Sequence, residues 1–525
     1  MRFARDQADF RRAINTDEVV RLNGNLHSFD EGDEFKDEQH DYSNDLDVFG
    51  RNSLFQLLSR ATTPSGRSVL AEWLLKPAST SEIKARQKAC QELSEKIDWR
   101  QEFQALGMHE KNAKQDFKKL IDWVNRSEPN DHVFFLKALG IVLPLLSSML
   151  LVLNLTIGIS IYFFLGMLAI NGLVVKQFLK QVLDITMDTN TNVSLLKSYS
   201  RLIAHIENSD FSSPYLQDRK KYFFSEGYSA AHAILTLQRF LDFLNSRANM
   251  LYGFMNLTFL MDIHLVLGAR KWKQKNAAHV TKWFDAIGEI EAVSSLAAYA
   301  FANESYTYPE LSKREGVYEA RNLGHPLIFS EERVSNDFSL DGVGNVAIIT
   351  GSNMSGKSTF LRTLGVNAVL AFAGAPCCAS EISLSSFQLF TSMRTQDNLE
   401  EHVSSFYAEL KRLKQLLERI KKNTAPVFFL LDEILKGTNS KDRHLGSASL
   451  VKQLSGEMAF GLVSTHDLEL GGLAHSMSSV VNYSFNSEIN GNEISFDYKL
   501  TYGICKSFNA SKLMENMGIN ILKHE

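Results

Sequence analysis

The spacing of apolar positions changes along the chain and divides it into a helical part and an alternating part. From Phe49 onward, apolar residues recur three and four positions apart, which predicts amphipathic helices. The same spacing continues through residues 180–305, where Trp283 to Phe301 is predicted to form one long helix. From about residue 315, short apolar runs alternate with helical segments. The pattern therefore predicts a mixed fold, α-helical first and α/β afterwards.

One stretch, residues 138–175, contains no charged residue. A helix needs about 20 apolar residues to cross a bilayer, so this stretch is long enough for two helices joined by a turn near residues 154–158. Lys137 precedes it, and Lys176 and Lys180 follow it, which indicates that both ends lie on the cytoplasmic side. We therefore predict a transmembrane hairpin over residues 133–176, which would place the protein in the inner membrane with its later domain in the cytoplasm. The alternative is a helical hairpin buried within a large soluble domain.

The remaining segments follow from composition. Residues 1–47 are polar and strongly acidic near their end, and we expect a solvated, partly ordered arm there. Two helical segments, 48–132 and 177–314, flank the hairpin, and an α/β domain spans 315–525. The net charge of −4 leaves only local basic clusters, 219–221 and 270–275, as candidate nucleic-acid contacts, and solvated helix faces are the alternative interpretation of both. Four cysteines without metal-ligand spacing indicate reduced thiols.

The segment 346–359 combines a strand of apolar and β-branched residues with a complete phosphate-binding loop, Gly351-x4-Gly356-Lys357-Ser358. Glycines let successive backbone N–H groups point at phosphate oxygens, and the following helix adds its positive end. Lys357 is predicted to reach the β- and γ-phosphates of ATP, and the Ser358 hydroxyl to hold Mg²⁺. A chance glycine-rich turn is the alternative. The predicted ATP-binding residues are Gly351, Ser352, Asn353, Met354, Ser355, Gly356, Lys357, Ser358 and Thr359.

Two later strands bring further candidates to the same sheet. Residues 427–431 form an apolar run that ends in Asp432 and Glu433. At such a strand end Asp432 is expected to orient the Mg²⁺ water shell, and Glu433 to polarise the attacking water. The run 461–465 ends in His466, which is expected to contact the γ-phosphate. The alternatives are acids that only begin a loop and a structural histidine.

Taken together, these motifs resemble those of the MutS family of DNA mismatch-repair ATPases. Residues 350–358 (TGSNMSGKS) are similar to the family's TGPNMGGKS, and 432–438 (DEILKGT), with Asp442 after them, are similar to its DE-x-x-(R/K)-G-T motif. Ser464-Thr-His466, Gly324-His-Pro326 and Ser404-Ser-Phe406 with Glu409 resemble three further family segments. Upstream, 53–77 and 288–297 resemble parts of the family's helical lever domain, so the resemblance covers most of residues 48–520.

The resemblance implies an α-helical lever domain followed by an α/β P-loop (ABC-type) ATPase domain. The hydrophobic helical hairpin is foreign to the family's repair enzymes and is predicted from the uncharged stretch, so the predicted fold class is a lever domain with this hairpin, followed by the ATPase domain. The resemblance also implies a homodimer in which Ser404 of one subunit faces the γ-phosphate bound to the other. A duplex DNA partner between the levers is implied as well. Only residues 1–47 precede the lever region, so we expect no counterpart of the mismatch-reading domain. The alternative function is a membrane-anchored ATPase whose levers act on a protein or lipid partner.

Overall fold

The structure is a computed structural model, and it describes residues 2–109, 117–126, 133–189, 193–225, 228–394, 405–422, 424–490 and 493–506. Helices dominate the chain up to residue 302 and strands alternate with helices after it, so the mixed class predicted from the sequence is confirmed.

The helices and strands have the following bounds. The helices are α1 (Arg2–Leu22), α2 (Leu54–Leu58), α3 (Pro64–Leu75), α4 (Thr80–Glu95), α5 (Ile97–Met108), α6 (Phe117–Asn125), α7 (Val133–Ile157), α8 (Ile161–Thr189), α9 (Val193–Glu207), α10 (Pro214–Lys221), α11 (Ala230–Asn245), α12 (Met250–Phe259), α13 (Met261–Ala302), α14 (Lys357–Ala373), α15 (Ser405–Lys422) and α16 (Ser440–Leu454). The strands are β1 (Phe224–Ser225), β2 (Tyr228–Ser229), β3 (Glu310–Leu311), β4 (Val317–Leu323), β5 (Asn336–Asp341), β6 (Val346–Gly351), β7 (Glu381–Leu384), β8 (Gln388–Ser392), β9 (Val427–Asp432), β10 (Ala459–Thr465), β11 (Val480–Asn490) and β12 (Glu493–Tyr502).

The chain divides into two compact units, each made from several stretches of sequence. The first contains residues 1–14, 60–69 and 96–292. The second contains residues 15–59, 70–95 and 293–525. Contacts between distant parts of the chain therefore decide which residues share a core.

The second unit is built on a six-stranded sheet in the order β12-β11-β6-β10-β9-β8. Neighbouring strands from β11 to β8 are parallel, and β12 pairs antiparallel at one edge. Every residue of β6 and β10 is buried, as expected for central strands covered on both faces. The register pairs Thr465 with Thr350 and Ser464 with Asp432, so β6, β9 and β10 all end at one edge of the sheet. A smaller sheet in the order β3-β7-β4-β5 belongs to the same unit.

The acidic segment before residue 48 differs from the solvated arm that its composition predicts. Residues 2–22 form α1, and Tyr42 and Leu46 are buried in the second unit. Asp45 accepts hydrogen bonds from the Thr391 hydroxyl (2.6 Å) and from the backbone N–H groups of Met393 (3.1 Å) and Arg394 (3.0 Å). The expectation was wrong because these acids bind donors at the end of β8, which composition alone does not reveal.

In the first unit, α7 and α8 together contain most of the uncharged stretch, and a short turn joins them between residues 157 and 161. Phe134–Ile157 and Ile161–Leu179 are each long and apolar enough to cross a bilayer, and only 11% and 22% of the residues in their most apolar windows are buried. Most residues of these two windows are therefore at least partly exposed in the structure. Soluble proteins rarely leave so large an apolar surface in water.

Candidate functional site

The turn after β6 has the backbone that a phosphate-binding loop requires. Gly356 has φ 102° immediately before α14, and Met354 has φ 66° at the exposed tip of the turn. A Cβ atom on Gly351 would lie 2.8 Å from the Ser355 hydroxyl oxygen and 2.9 Å from the carbonyl oxygen of Phe485. Glycine is therefore needed at position 351 for space and at 356 for its positive φ.

Lys357, the first residue of α14, is buried under this loop. Its ammonium group donates hydrogen bonds to the carbonyl oxygens of Gly351 and Ser352, both at 2.9 Å, and lies 3.5 Å from Nε2 of His466. Burial lowers the pKa of Lys357, and the nearby carboxylate of Glu433 acts in the opposite direction. The lysine therefore spans from the loop to the residue that follows β10.

Asp432 and Glu433 hold different positions at the end of β9. The Ser464 hydroxyl on β10 donates a hydrogen bond to Asp432. Glu433 turns away from the strand with φ 51°, and its N–H donates to the carbonyl oxygen of Ser464 at 3.0 Å. The two neighbouring residues therefore bond different groups of Ser464, Asp432 its hydroxyl and Glu433 its carbonyl oxygen.

The Glu433 carboxylate has a partner on each oxygen. Oε1 lies 2.6 Å from Nε2 of His466, and Oε2 lies 2.9 Å from the Lys436 ammonium. The hydrogen bond from His466 is the main cause that lowers the pKa of Glu433 to about 2, with a smaller effect from Lys436. The side chain is therefore ionised at neutral pH.

The structure thus brings three of the predicted residues, Lys357, Glu433 and His466, into one polar row. Ser358 is half-buried in the first turn of α14, while Asn353 and Thr359 are exposed on the loop and the helix. Ser404 lies outside the described residues, so its predicted role stays a prediction.

Two neighbours of this row were not predicted as site residues. Glu409 on α15 is buried and accepts a hydrogen bond from the N–H of Leu435, and burial raises the pKa of Glu409. Leu435 has φ 60°, so Glu409 supports an unusual backbone turn just after Glu433. The second neighbour is Lys436. Both residues lie in family-like motifs, but the sequence does not show which backbone or carboxylate they contact.

A further polar group lies just after β10. Nδ1 of His444 is 2.6 Å from the carboxylate of Asp467, and Asp467 also accepts a hydrogen bond from the N–H of Glu469 at 3.0 Å. No spacing pattern predicts this group, because its residues come from α16 and from the loop after β10.

A parallel sheet that delivers a glycine-rich loop, a buried lysine and an acidic pair to one edge defines a P-loop-type α/β domain. Residues 347–519 match the family described as MutS domain V. Over this C-terminal part, the chain belongs to the MutS family.

Similar proteins match the same part of the chain. The DNA mismatch repair protein MutS of Thermotoga petrophila is 30% identical over 234 residues, which are 44% of this chain and 29% of that protein. MutS of Brevibacillus brevis is 31% identical over 236 residues, 43% of this chain and 27% of that protein. Endonuclease MutS2 of Fusobacterium nucleatum is 26% identical over 232 residues, 44% of this chain and 29% of that protein. The chain spans less than a third of the length of these relatives.

Proposed function

We propose that this protein binds and hydrolyses ATP and uses the cycle to act on duplex DNA. The observation that supports the proposal best is the polar row beside the glycine-rich loop, in which Nε2 of His466 lies 2.6 Å from the Glu433 carboxylate and 3.5 Å from the Lys357 ammonium. Two of the similar proteins are named as DNA mismatch repair proteins, and for this reason we propose DNA as the substrate.

The loop suits a triphosphate. The buried hydroxyl of Ser355 has no hydrogen-bond partner among the residues that the structure describes, so it is available to bond a phosphate oxygen. The N–H groups of residues 352–359 and the ammonium of Lys357 would bind the phosphates. Ser358 and Asp432 would hold Mg²⁺, which neutralises charge on the phosphate oxygens when it is bound.

Glu433 is the proposed general base. Its two oxygens accept one hydrogen bond each from His466 and Lys436, and a carboxylate oxygen can accept a second from a water molecule. His466 touches both Lys357 and Glu433, so it would hold the base in register with the phosphate-binding lysine. Following the family resemblance, a second copy of the chain would supply Ser404 to the γ-phosphate and make the active form a homodimer.

The DNA assignment predicts salt-dependent binding. Fluorescence anisotropy with a labelled duplex should detect the binding. The logarithm of the association constant should fall linearly with the logarithm of the salt concentration, because phosphate contacts release counterions. Matched duplexes with and without one mismatch, each tested with ATP and with ADP, separate general binding from mismatch recognition. No binding at about 50 mM salt, a concentration that favours even non-specific contacts, would refute DNA as the substrate.

A second candidate function is favoured by the exposed apolar faces of α7 and α8: an ATPase held at a membrane and acting on a protein or lipid partner. Membrane attachment is compatible with either substrate. In this proposal the hairpin over residues 133–176 lies in the inner membrane and the ATPase domain in the cytoplasm.

The membrane span makes its own prediction. Changing Leu145, Met149 and Val152, three exposed apolar residues of α7, to aspartate should move the protein from the membrane fraction to the soluble fraction. Each charge near the bilayer centre costs about 2.5–3.5 kcal/mol on insertion scales. The same three positions changed to alanine form the matched control and should stay in the membrane. Recovery of the unchanged protein in the soluble fraction without detergent would contradict the span.

A further inference from the structure

A second apolar stretch follows the hairpin in the first unit. Residues 250–269 contain one charged residue, Asp262, and one histidine, and the basic cluster 270–275 comes directly after them. The stretch is broken in the middle: α12 ends at Phe259, the next residue, Leu260, has φ 53°, and α13 is bent by 81° relative to α12. Together the two pieces contain the roughly 20 residues that a bilayer-embedded element needs.

The apolar and polar faces of α12 are arranged in the opposite way from those of a helix at the surface of a water-soluble protein. Its outer face consists of apolar side chains, with Met250 92%, Leu251 65% and Phe254 52% exposed. Its inner face includes Tyr252 and Asn256, which are 5% and 6% exposed. A helix at a protein–water boundary buries its apolar face and exposes its polar one. The reversed arrangement indicates that the medium outside α12 is apolar.

The inner polar face is fully engaged around Asp262, which has no exposed surface. Its carboxylate accepts hydrogen bonds from the hydroxyl of Tyr252 (2.6 Å) and the amide of Asn256 (2.9 Å), and pairs with Arg247 at 2.8 Å. The N–H of Asp262 donates to the side-chain oxygen of Asn256 at 2.9 Å. A buried charge with a counter-ion and several donors is tolerable away from water, whereas a lone one is not. The network therefore holds the bend between α12 and α13 together on the side that faces the protein interior.

Polar contacts also join this element to the hairpin. The buried amide of Asn171 on α8 donates to the hydroxyl of Ser147 on α7 (2.9 Å) and to the carbonyl oxygen of Leu257 on α12 (2.7 Å). Nε2 of His264 lies 2.9 Å from the carbonyl oxygen of Gly140. Ser147 and Asn171 each lie ten residues from the end of their helix at the turn, so Leu257 is level with the middle of the proposed span.

We propose that residues 250–269 form a third membrane-embedded element, whose outer face contacts the hydrocarbon of a lipid bilayer beside α7 and α8. The proposal rests on the proposed span of the hairpin and extends it. Lipid is the occupant that fits, because the apolar face of α12 adjoins two helices with the length and composition of bilayer spans, and because the basic cluster that follows is suited to anionic headgroups.

Chain topology makes this element re-entrant. Residues before and after it pack in the same unit, as the contacts of Asp45 with Thr391 and Met393 show. The chain between them must cross a bilayer an even number of times. Because α7 and α8 account for two crossings, the bend at Leu260 must return the chain to the side from which it came.

Depth-dependent fluorescence quenching of the full-length protein in vesicles of phosphatidylcholine and phosphatidylglycerol tests the proposal. The polarity-sensitive dye NBD would be attached to a single cysteine at Met250→Cys or Phe254→Cys. Leu145→Cys on α7 reports the hairpin, and the exposed Thr281→Cys on α13 is the water-facing control. The native cysteines, Cys90, Cys377, Cys378 and Cys505, are buried, and the protein without an added cysteine gives the background.

We expect doxyl groups on the lipid acyl chains to quench the dye at positions 145, 250 and 254 at least threefold more than at 281. Quenching at 145 with positions 250 and 254 behaving like 281 would overturn the third element and leave the span intact. If position 145 also behaves like 281, the span fails and the inference fails with it.

Discussion

Replacing Lys357 by methionine is expected to lower the steady-state rate of ATP hydrolysis by at least about 100-fold, the effect of removing one preorganised charge-stabilising donor from a buried site. Methionine keeps the apolar stem that packs under the loop and removes only the ammonium group. The ammonium donates to the carbonyl oxygens of Gly351 and Ser352 and thereby holds the loop in place. Its loss should therefore also weaken ATP binding. Phosphate release at saturating Mg·ATP measures the first effect, and titration with a fluorescent ATP analogue measures the second.

The matched control for this substitution is Lys452→Met, which removes the same charge from the exposed surface of α16. Its turnover should equal that of the unchanged protein, and both variants should melt within a few degrees of it. Turnover of Lys357→Met within threefold of the unchanged protein would show that the loop is not the hydrolytic phosphate site.

For Glu433→Gln we expect the rate of hydrolysis to fall by about 100- to 10,000-fold, the usual contribution of a general base. ATP binding should persist, because the hydrogen-bond partners of this carboxylate in the described part of the chain are His466 and Lys436, which lie outside the loop. Single-turnover hydrolysis together with the same binding titration separates the two effects. The amide is close in shape to the carboxylate and fits the same backbone turn.

The control for the base is Glu418→Gln, an exposed carboxylate of α15 that pairs only weakly with Lys414 at 3.9 Å. It should leave both rate and affinity unchanged. Since the pKa of Glu433 is lowered to about 2, the carboxylate stays ionised and the loss in Glu433→Gln should be constant from pH 6 to pH 9. Equal hydrolysis by the Glu433→Gln and unchanged proteins would remove Glu433 from the mechanism.

Much of the second unit could be predicted because its signals are local. An apolar run followed by a glycine-rich loop and a lysine specifies a strand, a turn and a helix within 346–373, and the structure has β6 and α14 there. The uncharged stretch likewise predicts two helices with a turn between them, and α7 and α8 are present. In each case the information lies within a few consecutive turns of chain.

Contacts between distant residues could not be predicted in the same way. The acidic segment around Asp45 looks solvated by composition, yet it binds donors some 350 residues later, at the end of β8. Glu433, which pairs with both His466 and Lys436, has a positive φ. A glutamate in the sequence does not predict this backbone conformation.

The sequence by itself determined the phosphate loop, the acidic strand end, the histidine after the next strand and the two long apolar helices, because each is set by neighbouring residues and by periodicity. Only the tertiary structure decided that Lys357, His466 and Glu433 lie in one polar row, since this requires three parallel strands to end at one edge in a fixed register. It also decided that α12 turns its polar face inward, because a carboxylate from the next helix, Asp262, supplies the partners that water would otherwise provide.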